Sequence, residues 1–210
     1  MTSGLPRSYF DARYAESTDP WELATRWYER RKYAITLALL PNERYRHAFE
    51  PGCSIGVLTE RLSARCDHVT ATDVADAALA RADARLRAGG RRDAVTLLNQ
   101  SFDSDWPATD FDLVLISELA YYFDAVTLRA TLDRGVARLQ SHATIVTAHW
   151  RHPVADYPLS GDAATAIIAG TAGLHRIGGY RDEDVVIEVF DTGSAQSVAA
   201  RTGVPGADPC

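Results

Sequence analysis

Apolar runs alternate with helical stretches from residue 47 onward. Residues 47–50 read as a short strand, followed by a glycine-bearing loop and a helix over about 56–65. Residues 69–73 have strand composition. The alanine- and arginine-rich run 75–88 reads as a helix that stops at Gly89-Gly90. A strand is expected over 95–99, and 110–117 carries the unbroken apolar run of a strand buried on both faces. A helical period covers 125–139, a fifth strand 143–149 and a further helix 161–172. Residues 175–180 and 184–190 flank Arg181-Asp182-Glu183 as a hairpin. Strands that alternate with helices imply an α/β architecture, a mostly parallel sheet with helices on both faces. The hairpin would bring the sheet to seven strands with an antiparallel end.

The segment before residue 47 is aromatic: Tyr9, Phe10, Tyr14, Trp21, Trp27, Tyr28 and Tyr33. Asp19-Pro20-Trp21-Glu22 has the signature of a helix start, with a capping residue, a proline at the first helical position and a glutamate completing a capping-box pattern. That helix is expected to run, with a break, to Leu40, where Pro41-Asn42 stops it. The aromatics suit either a lid over a ligand or a stripe packed on the sheet. A single domain is expected over residues 1–191, with lid and helix in 1–40. The Gly-, Ser-, Ala- and Pro-rich stretch 192–210 is expected to be a disordered tail.

Composition narrows the function classes. The 210 residues are 46% hydrophobic and 24% charged, which suits one globular domain. Twenty-two basic residues against 28 acidic ones give a formal charge of −6, so nucleic acid is not an expected partner. Lys32 is the only lysine. Three cysteines, Cys53, Cys66 and Cys210, show neither pairing motif nor metal spacing, which suits a reducing cytosol. No stretch has the length and apolarity of a membrane span, nor do the first residues form an apolar leader. A cytoplasmic protein, monomer or homodimer, with a small-molecule substrate is expected.

The sharpest feature is Glu50-Pro51-Gly52-Cys53-Ser54-Ile55-Gly56, placed between the first strand and the next helix. Gly52 lets a ligand approach the backbone and Gly56 permits close packing at the helix start. Asp73 closes the second strand about twenty residues on, a spacing that suits a carboxylate gripping ribose hydroxyls. A dinucleotide fingerprint would need glycines where Ser54 and Val57 stand, which argues against NAD(P) and FAD.

This loop resembles the S-adenosylmethionine loop of class I methyltransferases. Phe111-Asp112-Leu113-Val114-Leu115-Ile116-Ser117-Glu118, with Tyr121-Tyr122, is similar to that family's fourth strand and following loop. Asp19-Pro20-Trp21, Trp27-Tyr28-Glu29-Arg30-Arg31-Lys32 and His149-Trp150-Arg151 more narrowly resemble the nodulation protein S group, over roughly residues 9–190. The resemblance implies a Rossmann-like fold and S-adenosylmethionine as cofactor, with S-adenosylhomocysteine as product. It further implies methylation of an amine, since the group's founding members N-methylate a chitooligosaccharide signal. Glu50, Gly52, Cys53, Gly56, Asp73, Ser117 and Trp21 become candidate cofactor contacts. Ser101 stands where the family often has an adenine-binding Asp, and Phe102 is a candidate cover for the adenine face.

Methyl transfer is an in-line displacement in which positioning dominates, so no fixed catalytic triad is expected. Arg30 and Arg31 are candidates for the cofactor carboxylate. They point about 100° apart on a helix, so at most one serves. Glu118 and Tyr122, past the fourth strand, are candidate acceptor contacts. His149 is a candidate general base or a hydrogen-bonded structural histidine. His149 and His152 lack further ligands, so no metal is expected. Transfer to oxygen, a condensation or cyclisation on the same fold, and a non-catalytic relic remain as alternatives.

Overall fold

A computed structural model describes residues 4–108 and 110–207. The helices are α1 (Arg7–Glu16), α2 (Trp27–Ala38), α3 (Val57–Leu62), α4 (Asp76–Ala88), α5 (Ala125–Val136), α6 (Gly161–Ala169) and a one-turn α7 (Val198–Arg201). The strands are β1 (Tyr45–Pro51), β2 (Cys66–Asp73), β3 (Val95–Asn99), β4 (Leu113–Ser117), β5 (Thr144–Trp150), β6 (His175–Arg181) and β7 (Val185–Asp191). All seven strands join one sheet in the order β3-β2-β1-β4-β5-β7-β6. The first five are parallel, and β7 inserts antiparallel between β5 and β6. The sheet and hairpin thus match the expected Rossmann-like fold. Chain direction across the sheet reverses between β1 and β4, the switch point at which a crevice opens above the carboxyl ends of the strands.

Strand alternation divides the core. Leu113 and Leu115 of β4 pack with Ala48, Val69, Leu58, Leu62 and Leu86 on one side. Val114 and Ile116 pack with Phe49, Phe111, Leu128, Leu132 and Ile168 on the other. Helices α2, α3 and α4 therefore cover one face, and α5 and α6 the other, because successive strand residues point to opposite sides.

The amino-terminal segment departs from expectation. Asp19 builds a turn instead of a helix. Its carbonyl accepts the Glu22 N–H at 3.0 Å, and its carboxylate accepts those of Leu23 and Ala24 at 2.9 and 3.0 Å. Glu22 sits at a φ of 55°, which ends any right-handed run, and the helix begins only at Trp27. The additional helix α1 had no long apolar period to announce it; Phe10 and Tyr14 alone mark its inward side. Of the stretch expected to be a disordered tail, residues 208–210 lie outside the described residues. Within 192–207, Ser197 caps α7 and Arg201 reaches back to the buried Asp191 at 2.6 Å.

Candidate functional site

Glycine geometry places the loop between β1 and α3. Gly52 and Gly56 have φ of 71° and 76°, and Ser54 between them, at 51°, is a non-glycine residue in the same left-handed region. Such a conformation is costly and persists only where neighbours fix it. Here the Ser54 N–H donates to Asp73 Oδ2 at 2.9 Å, and the Ala75 N–H donates to Oδ1 at 2.9 Å. The carboxylate lines a cavity of about 810 Å³, and its two oxygens have capacity for donors beyond these. Burial pushes the Asp73 carboxyl up, and the backbone N–H groups partly offset it. Gly56 lies outside the cavity: a Cβ there would meet Ala82 of α4 at 2.9 Å, so its work is helix packing.

The cavity spans the carboxyl ends of β3 to β5. Ser101 and Phe102 line it beyond β3, with the Ser101 hydroxyl donated to Asp103. Cys53 and Ser117 also line it; burial drives the Cys53 thiol well above its ordinary value, leaving it inert. Glu50 lines the cavity from the end of β1, only 3% exposed, with Oε2 accepting no hydrogen bond. Burial pushes its carboxyl up to about 8. Over the opening lie Phe10 and Tyr14 of α1 and Trp21 of the Asp19 turn. Tyr14 meets Trp21 edge-on at 5.6 Å, Phe10 meets Tyr122 at 5.1 Å, and Arg7 pairs with Asp76 of α4 at 2.8 Å.

Lys32 occupies the far end. Its side chain is 2% exposed and its ammonium donates to Glu29 Oε1 at 3.1 Å and Glu118 Oε1 at 2.7 Å. Glu118, at a left-handed φ of 52°, also accepts the Tyr121 hydroxyl at 2.6 Å and the Trp150 N–H at 2.9 Å. Burial would push Glu118 up, but Lys32 and these donors hold it below its ordinary value. For Lys32 burial works downward, and the two carboxylates more than offset it. For Glu29 burial wins over Lys32 and the carboxyl is raised. Tyr122 closes this side with its hydroxyl 3.4 Å from that of Tyr157.

Besides Gly56, three sequence candidates lie outside the cavity lining, His149, Arg31 and Arg30. His149 is fully buried outside the cavity lining, with Nδ1 on the Thr165 hydroxyl at 3.0 Å, and burial pushes it down to about 4. That placement suits the hydrogen-bonded structural histidine of the two readings. Arg31 points away from the cavity, pairing with Asp182 at 2.9 Å and donating to the Tyr180 hydroxyl at 2.5 Å. Arg30 donates to the Thr25 carbonyl at 2.5 Å. The basic side chains that do line the cavity are Arg7, Arg26 and Lys32. The sequence reading gave no site role to these three or to Glu29, whereas Tyr14 stood among its lid aromatics. The solitary lysine was the one signal available. His152 is exposed and pairs with Asp184 at 2.7 Å.

A family model described as nodulation protein S (NodS) matches residues 10–188. The nodulation protein S of Bradyrhizobium diazoefficiens is 31% identical over 130 residues, which cover 61% of this chain and 61% of that protein's own length. Among solved structures, the N-methyltransferase NodS of Bradyrhizobium japonicum WM9, in complex with S-adenosylhomocysteine, superposes with a TM-score of 0.77 at 23% identity. That match covers 88% of this chain and 97% of that one. A Pseudomonas syringae protein described as a candidate methyltransferase is 37% identical, with a TM-score of 0.65 over 79% of this chain and 99% of that one.

Proposed function

This chain belongs to the nodulation protein S family, and from that premise we propose that it transfers a methyl group from S-adenosylmethionine to a small-molecule amine. The observation that carries the reading is the Asp73 carboxylate, anchored by two backbone N–H groups and lining the cavity. Its further acceptor capacity suits the two hydroxyls of a ribose. The orphaned Glu50 Oε2 suits an ammonium, and the cofactor's amino acid end carries one. Phe102 offers a flat face for the adenine, and Ser101 a hydroxyl at its edge. When bound, the cofactor supplies a methyl group on a sulfonium, a cation that aromatic faces attract.

The remaining work belongs to the chain itself. Trp21, Phe10 and Tyr14 shield the site from water, and the loop after β4 holds the acceptor against Tyr122 and Glu118. An amine acceptor is favoured over an alcohol by charge. Glu29 and Glu118 face a single Lys32, so the acceptor end carries more negative than positive groups. Calorimetric titration tests the cofactor: S-adenosylhomocysteine binds and NADH does not. Tight NADH binding with no response to the thioether nucleoside overturns the reading. Mass spectrometry of a panel of primary amines and matched alcohols incubated with S-adenosylmethionine then tests the acceptor class.

A further inference from the structure

The carboxylates at the acceptor end are unequal. Glu118 is saturated: Lys32, Tyr121 and the Trp150 N–H occupy both its oxygens, and its affinity for a proton is lowered. Glu29 has fewer donors, with Lys32 against both its oxygens. It is 6% exposed and lines the same cavity, and its Oε2 lies 2.9 Å from the Lys32 ammonium without accepting a directed hydrogen bond. Its charged and titratable neighbours are Tyr28, Lys32 and Tyr33 on α2, with Glu118 facing it from the loop after β4.

We propose that Glu29, a carboxylate of the cavity lining, is the proton acceptor for the amine, paired with a Lys32 that Glu118 anchors in turn. This rests on the methyl-transfer reading above. An amine arrives protonated and has no lone pair to offer. Its N–H bond breaks and an O–H bond forms on Glu29. The electron pair stays on nitrogen as the nucleophile, and the charged ammonium and carboxylate become a neutral amine and a neutral carboxylic acid. The proton returns to solvent when the site opens. A carboxyl already raised by burial accepts that proton more readily than Glu118 does. Lys32 and Glu118 are positioning residues in this scheme.

Sinefungin carries a primary amine where the donor has its methylated sulfur, so it presents a cation to the acceptor end without needing the acceptor's identity. Calorimetry on the wild-type protein is expected to show sinefungin binding at least about tenfold more tightly than S-adenosylhomocysteine. Glu29→Gln is expected to shrink that preference to about twofold while S-adenosylhomocysteine affinity stays unchanged. Equal preference in wild type and Glu29→Gln overturns the proposal. Should the variant fail to melt cooperatively, wild-type titrations in buffers of different ionisation enthalpy decide. Sinefungin should release more protons than S-adenosylhomocysteine as pH falls towards the Glu29 titration, and equal release overturns the proposal. Loss of S-adenosylhomocysteine binding altogether would instead strike the cofactor reading.

Discussion

The hydroxyls of Tyr14 and Ser54 lie 2.5 Å apart, joining helix α1 to the strained turn of the glycine loop. The covering segment is therefore tied to the backbone that a nucleoside would touch. Deleting residues 1–26, which spares α2, should leave a chain that melts cooperatively at a lower temperature and binds S-adenosylhomocysteine at least about tenfold more weakly. Circular dichroism and calorimetry read the two outcomes separately. Undiminished affinity would make α1 packing material and nothing more.

Replacing Asp73 with alanine removes the carboxylate proposed to hold the ribose and also frees the Ser54 and Ala75 N–H groups. Hydrogen bonds to a charged group contribute about 1.5–3 kcal/mol, so affinity for S-adenosylhomocysteine should fall by one to two orders of magnitude. A calorimetric titration of the folded variant that matched wild type would remove the ribose assignment.

Glu50 makes stability depend on pH with a definite sign. Its carboxyl is raised from 4.5 to about 8, so the folded state holds a proton that the unfolded state releases. This contribution is complete below the unfolded value and is lost as pH rises towards 8. Glu50→Gln should flatten the decline in urea stability across that interval. Wild-type protein should also release a proton on binding S-adenosylhomocysteine within it, as an adjacent ammonium ionises the carboxyl. The same slope in both proteins would contradict the burial argument.

His149 acts on the acid side. Its imidazole is pushed from 6.5 down to about 4, so the unfolded chain takes up a proton first and stability falls as pH drops through this window. His149→Gln should remove that acid slope at a cost of about 1 kcal/mol for the Thr165 bond, and leave S-adenosylhomocysteine affinity within about twofold. A large loss of affinity without a change in melting would return His149 to the binding site.

What the sequence discloses follows from the range over which each feature acts. The glycine loop and Asp73 are legible because strand, loop and helix are local, and their spacing carries the chemistry. Lys32 is not: beside Glu29 it reads as an ordinary i,i+3 pair, and its burial depends on Glu118, 86 positions away. His149 was placed correctly at the end of β5. A strand's two-residue period, however, turns it towards Thr165 on α6, away from the cavity. Arg31 was read from its motif, and a motif does not say which side of the helix meets solvent. The break at Glu22 depends on a backbone angle that no residue type there announces.

Arg31 and Lys32 are consecutive, yet one grips Asp182 in the terminal hairpin and the other grips Glu118 beside the crevice. Helix α2 is thereby a lever with its outer handle on the hairpin turn. Changes around residues 180–184 would tilt it and re-aim Glu29, while Asp73 and the glycine loop, across the sheet, keep their grip. On the proposed function, acceptor choice would then answer to a surface turn that makes no contact with the glycine loop.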